Sequence, residues 1–213
     1  MTGETVYAVF LKGGIMMWPL LLCSVVGLGV IVERMIYFFG MRYDRKVFEV
    51  ELVRILERGD VEKAIEVSKK HRHPVAKVVQ AYLENLERKE EVRRGIIMRE
   101  GTLALAGAEQ RIRVVATVAH VSPFMGLLGT VLGMVAAFAT IESLENAVQP
   151  SQLAGGIWEA LLTTVFGLMI AIPCVIMLQY FHSRVDRMSR NMDAAISQLD
   201  EWNDRRLKGV LKG

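Results

Sequence analysis

Apolar and charged positions are segregated into blocks along this chain of 213 residues. Three apolar stretches, 15–39, 113–141 and 154–181, are separated by polar segments. About 20 apolar residues in a helix cross the roughly 30 Å hydrocarbon core of a bilayer, so each stretch predicts a membrane-spanning helix. The third is longer than a span needs, which tilt or emergence from the membrane accommodates. A cleaved signal peptide is the alternative for the first stretch. Its length, the absence of a small-x-small site and its end in Tyr37-Phe38-Phe39, as in an interfacial aromatic belt, argue for a span.

The polar block 40–112 reads as helix. Phe48, Leu52, Ile55 and Leu56 keep helical spacing, and Gly59-Asp60 reads as a helix stop followed by an N-cap. A short helix over 61–70 follows. His71-Arg72-His73-Pro74 is a break, because the residue before proline avoids the α region. Helix is then expected to resume near Val75 and to continue past Glu91 and Gln110 into the second span. The tail 182–213 reads as helix as far as Trp202. The segments 1–14 and 142–153 are a short N-terminus and a short loop.

Charge sets the orientation. Of the 26 Lys and Arg residues, 16 lie in the central block and seven in the tail, while the 142–153 loop has none. The positive-inside rule therefore predicts N-terminus outside and C-terminus inside, with the block and the tail cytoplasmic. The fold class is all-α: a polytopic membrane protein with three transmembrane helices and long cytoplasmic helical extensions. A 52% hydrophobic content and a mean hydropathy of +0.31 agree with that class. The net charge of +3 is small and no basic run is interleaved with aromatics, which argues against nucleic acid.

Candidate chemistry is concentrated in the spans. Glu159 is the single charged side chain of the third stretch, and Thr163 and Thr164 follow it. A carboxylate inside a span is costly unless it faces protein, a partner or water. Counted inward at 1.5 Å per residue, Thr130 and Thr164 both lie roughly 14–16 Å deep, as a polar lining requires. At 100° per residue Glu159 lies about 40° from Thr163 but 140° from Thr164, so it faces either a lumen or a subunit boundary. A buried Glu serving helix packing is the other reading. Thr130 is either a pore group or a hydroxyl bonded back to its own helix.

Pro123 is expected to kink the second span. Gly126, Gly129 and Gly133 line one side of it, the last two in GxxxG register, a surface that admits another helix closely. Glu33-Arg34, one turn before the end of the first span, read as a membrane-edge pair that snorkels or meets neighbouring helices. Cys23 and Cys174, counted from the outer ends of their spans, fall roughly 16 Å apart in depth, too far for a disulfide. His71 and His73 have no Cys or carboxylate at ligand spacing, so no metal site is expected. The chain shows no phosphate loop, nucleophile elbow or zinc spacing, so neither enzymatic activity nor a cofactor is expected.

The run from Pro123 to Met134, PFMGLLGTVLGM, followed by GIWEALLTTVFG from Gly156 to Gly167 and by Ala171-Ile172-Pro173, resembles the signature of the MotA/TolQ/ExbB proton-channel family. The likeness extends over nearly the whole chain and is greatest to ExbB proteins, with TolQ next. It implies a homo-oligomeric ring, usually a pentamer, in the bacterial inner membrane. The second and third spans of such a ring line a lumen, which holds the single transmembrane helices of two ExbD- or TolR-type partners. On the family pattern Thr130 and Thr164 are pore threonines, Glu159 is the membrane carboxylate, and Pro173 joins the glycines in helix packing. Thr163 departs from the pattern, where a small apolar residue is usual, and is an additional candidate for the pore lining.

The activity so implied is that of an ExbB-like subunit of a proton-driven motor, energising TonB-dependent outer-membrane transport through a TonB-like protein. The alternative is a TolQ-like subunit acting through a TolA-like protein on the envelope. A MotA-like stator would bring a fourth span and a larger cytoplasmic domain, and this sequence shows neither. A non-conducting scaffold has no need of threonines and a glutamate matched in depth.

Overall fold

The computed structural model describes residues 10, 13–71, 73–142 and 150–209. The described residues form helices joined by short links, with α1 (Met17–Glu57), α2 (Val61–Lys70), α3 (Pro74–Glu84), α4 (Glu90–Glu109), α5 (Ile112–Glu142) and α6 (Pro150–Leu207). Three segments are long and apolar enough to cross a membrane: Met17–Gly40 of α1, Ile112–Glu142 (the whole of α5) and Ala154–Leu207 of α6. Most large apolar side chains in these segments point outward, among them Leu22, Phe124, Val135, Trp158 and Met169. In water that would be prohibitive, whereas lipid or neighbouring helices cover such surfaces at no cost. The fold is that of a multi-pass membrane protein.

The chain divides into two compact units. The first comprises the chain up to Val32 together with Ile112–Gln179. Its three helices run alternately. Glu159 of α6 lies against Gly14, just before α1, and Cys174 lies at Gly27 thirteen residues on, so α1 and α6 are parallel. Cys23 Sγ lies 3.7 Å from Met125 Sδ while Gly27 meets Val118, so α5 runs against both. Small residues let α5 and α6 touch. A Cβ added at Gly126 would lie 2.9 Å from the Thr163 carbonyl oxygen, and one at Gly133 would lie 2.9 Å from Ala160 Cβ. Pro123 and Pro173 sit inside α5 and α6 without ending them.

These contacts correct the depth assigned to the cysteines. Cys174 Sγ would lie 3.2 Å from a Cβ at Gly27, which is one turn past Cys23, so the axial offset of the two thiols is about 6 Å. The ends of the apolar stretches are unequal reference levels, since Gly14 at the start of the first is level with Glu159, five residues into the third. Both thiols are free.

The second unit comprises Glu33–Arg111 and Tyr180–Gly213. Phe48, Leu52, Ile55 and Leu56 of α1 enter its core with Val67, Val79, Tyr82, Ile97, Leu199 and Trp202. Gly59, at φ +74°, ends α1, and Asp60 caps α2 by accepting from the Lys63 amide at 3.0 Å. His73 caps α3 through Nδ1, which accepts from the Ala76 amide at 3.1 Å, with Pro74 as the first helical residue. Trp202 Nε1 donates to the Leu56 carbonyl at 2.9 Å, a second donor to an acceptor at the end of α1 that the Gly59 amide also reaches at 3.1 Å.

Continuous helix from Val75 into the second span does not form. Asn85 leaves the α region at φ −113°, ψ 21°, and its side chain donates to the Ala81 carbonyl at 2.8 Å. That bond gives the backbone a non-helical way of satisfying the last turn of α3. Helix restarts at Glu90, and the Leu86 carbonyl left in the turn accepts from Arg93 Nη1 at 3.2 Å. The tail behaves otherwise: α6 runs on past Trp202 to Leu207 as one helix.

Candidate functional site

The candidate residues of the spans meet where α5 crosses α6. Thr163 is 2% exposed, and the single proton of its hydroxyl is shared between the Ala160 carbonyl at 2.7 Å and the Gly126 carbonyl at 3.1 Å. Thr164 Oγ1 donates to the same Gly126 carbonyl, also at 3.1 Å. Neighbouring residues on α6 thus share one acceptor on α5, which sets the rotation of the two helices at this level. Gly129 explains how a threonine fits there, since a Cβ on it would lie 2.6 Å from Thr163 Cβ.

Thr130 lies one turn past Gly126 on α5, so its hydroxyl is within about 6 Å of the level of Thr164. Its Oγ1 donates to the Leu127 carbonyl at 2.6 Å, three residues back on its own helix. The side chain is only partly covered by the chain itself, as is Thr164, whereas Thr163 is enclosed. Glu159 is exposed, one turn from Thr163 toward the start of α6. It borders a groove of about 250 Å³ between α5 and α6, walled by Gly133, Ala136, Ala137, Thr140 and Gly156. The structure therefore brings Thr163 and Thr164 onto one carbonyl, sets Thr130 nearby, and holds Glu159 apart beside the groove.

Three residues of this interface escape a reading by composition. Ser122 is fully buried, its Oγ has no hydrogen-bond partner among the described residues, and Gly167 packs on the Ser122 carbonyl. Gly156 meets Ala137 in the same way. The spacing Gly156, Ala160, Thr163, Gly167 is a small-residue face complementary to that of Gly126, Gly129 and Gly133, and this was the legible signal.

In the second unit, Arg34 Nε donates to Glu33 Oε2 at 2.9 Å and Arg111 Nη1 donates to Glu33 Oε1 at 2.6 Å. The Arg34 side chain is buried, with its guanidinium 4.2 Å from the centre of the Tyr37 ring. Arg111 is the member that the sequence did not reveal. A second polar cluster joins Tyr82, whose hydroxyl donates to Asp200 Oδ1 at 2.6 Å, to Arg93 stacked 4.9 Å from its ring. Burial and the Asp200 carboxylate push the Tyr82 phenol well above its ordinary pKa. Among the described residues, no group of three or more His, Cys, Asp or Glu side chains is gathered as a metal would require.

Residues 70–194 match the MotA/TolQ/ExbB proton channel family. The chain belongs to that family. The matched region takes in the whole α5–α6 crossing. Among its relatives is the biopolymer transport protein exbB1 of Vibrio cholerae, 26% identical over 207 residues, covering 89% of this chain and 84% of that protein. An ExbB-like biopolymer transport protein of Synechocystis is 31% identical over 191 residues, 86% of this chain and 72% of its own length. The Tol-Pal system protein TolQ of Haemophilus influenzae is 40% identical over 83 residues, 39% of this chain and 36% of its own. The family is one of membrane proton channels rather than an enzyme class.

Proposed function

We propose that this chain is an ExbB-like subunit of an inner-membrane motor. With an ExbD-type partner it uses the proton-motive force to energise TonB-dependent outer-membrane transport. The observation that carries the reading is the α5–α6 crossing. Two threonines of α6 are anchored on the Gly126 carbonyl at mid-span, while Thr130 and Glu159 keep polar atoms on surfaces that the chain leaves uncovered. A helix pair built only for packing in lipid has no use for such groups, because apolar residues there carry no desolvation penalty.

In this reading five copies form a ring, with N-termini outside, the segments 40–112 and 182–213 in the cytoplasm, and 142–153 as a periplasmic loop. The lumen holds a dimer of the single-span partner, whose carboxylate takes up and releases the proton. Thr130, Thr164 and, as an additional hydroxyl, Thr163 belong to the proton pathway, with Glu159 as its membrane carboxylate. Each proton crossing 100 mV releases about 2.3 kcal/mol, which performs work only if passage is tied to movement of the partner helices. A TonB-like protein then carries that movement to an outer-membrane importer.

The experiment is energy-dependent uptake through a cognate importer in strains carrying Thr130→Val, Thr164→Val or Glu159→Gln, with the yield of assembled complex as control. Each variant is expected to assemble and to lose most proton-driven activity. Full activity of all three at normal yield defeats the reading. The 40% identity to TolQ over 83 residues supports a second reading, a Tol-Pal-type envelope complex acting through a TolA-like protein. The genes beside this one discriminate: an importer and a TonB-like protein favour the first reading, TolA- and Pal-like proteins the second.

A further inference from the structure

His120 is the only ionisable side chain of α5 between Arg113 and Glu142. It lies about 10 Å along the helix from Arg113 and about 15 Å from Thr130. Ala116, His120, Pro123, Leu127 and Thr130 follow one another at steps of four and three residues, so they share one stripe of α5. The other side of the helix, with Val115, Val118, Ser122, Gly126 and Gly129, is buried. The His120 side chain is exposed, and its Nδ1 lies 2.7 Å from the Ala116 carbonyl oxygen. A carbonyl only accepts, so Nδ1 carries the proton and Nε2 keeps a lone pair on the uncovered side. Near this level α1 presents Gly27 to Val118, with Cys174 of α6 also beside Gly27, and α6 presents Gly167 to Ser122. None of these carries charge. Along each helix, the charged side chains that bracket this stretch are Arg113 and Glu142 on α5, Glu33 and Arg34 on α1, and Glu159 and Arg184 on α6.

We infer that His120 is a further proton-accepting station of the pathway, on the inner side of the threonine level. The inference rests on the reading of Thr130 as a pathway residue. A proton arriving through water from Thr130 adds to the Nε2 lone pair, giving an imidazolium whose Nδ1–H stays on the Ala116 carbonyl. The Nε2–H bond then breaks toward water on the inner side and the neutral ring is restored. One N–H bond forms and the same bond breaks. Ionisable groups within spans mark proton routes, and an imidazole can take up a proton at one nitrogen while the other keeps its hydrogen bond to the helix.

The test is proton uptake at fixed membrane potential into vesicles from cells producing the full chain with the products of its neighbouring genes. Uptake is read with an internal dye while the inner pH is stepped from about 6 to 8. His120→Gln keeps a polar side chain but cannot titrate. It is expected to assemble normally, to lower flux about tenfold and to flatten its dependence on inner pH. Native flux and pH dependence in this variant overturn the inference, and so does a uniform loss that preserves the native pH dependence. If the variant fails to accumulate, His120→Ala is assayed with and without free imidazole. Restored flux supports the inference, and no restoration at normal yield overturns it. Thr130→Val separates the two readings: loss of flux there beside a native His120→Gln sinks only the histidine, whereas native flux in Thr130→Val sinks the pathway itself.

Discussion

Thr163 and Thr164 differ by one position and bond the same carbonyl, yet the helix makes them different kinds of residue. Thr163 is enclosed against Gly129, and Thr164 is only partly covered. Two hydroxyls on one acceptor make the first partly redundant for alignment. Interhelical hydrogen bonds in membranes average about 0.6 kcal/mol, so Thr163→Val, which preserves the β-branched shape, is expected to cost no more than about 1 kcal/mol. Complex yield should remain normal, read by size exclusion in detergent. Thr163→Leu adds volume where none is free and is expected to abolish assembly, because overpacking forces backbone shifts. Equal yields for the Val and Leu variants would show that the site is looser than its 2% exposure states.

At the scale of elements, the same substitution takes opposite signs according to what the helix faces. Gly129 sits under Thr163, whereas Gly95 in the middle of α4 has nothing within 4 Å of a Cβ. Gly129→Ala must push α6 away or rotate it, and is expected to lower the melting midpoint of the purified complex. Gly95→Ala meets nothing within its own chain and removes backbone freedom from the unfolded state, so it is expected to stabilise the helix by about 0.5–1 kcal/mol. The comparison is made by thermal melts of the two variants side by side. A Gly129→Ala complex as stable as the native one would contradict the close approach of α5 and α6.

At the scale of the whole molecule, apolar surface outside the candidate spans has to be covered. Val92, Met98 and Leu103 of α4 are 48%, 71% and 56% exposed in a single chain. α4 is not among the membrane-spanning candidates, so lipid does not account for them. In the ring proposed above, a second copy of the chain would cover them. Native mass spectrometry in detergent is expected to show about five copies, and Met98→Glu combined with Leu103→Glu to shift the population toward smaller species. A native protein that is monomeric throughout would remove this support for the ring.

The elements written locally were legible in the sequence. Apolar runs long enough for a bilayer marked the three spans, Gly59-Asp60 marked the end of α1 and the cap of α2, and His73-Pro74 marked the start of α3. These signals act within about four residues, through a cap, a missing amide or a positive φ, so no distant contact is needed to interpret them. The break at Asn85 was missed because its side chain competes with the helix only once Leu86 has a core to enter, and that core is built from α1, α3 and α6. The level of Cys174 beside Gly27, the enclosure of Thr163 rather than Thr164, and the joining of Arg111 to Glu33 were likewise decided by the tertiary structure. A helical period gives angles around one helix, but the stagger and rotation between helices come from which small residues let which backbones touch.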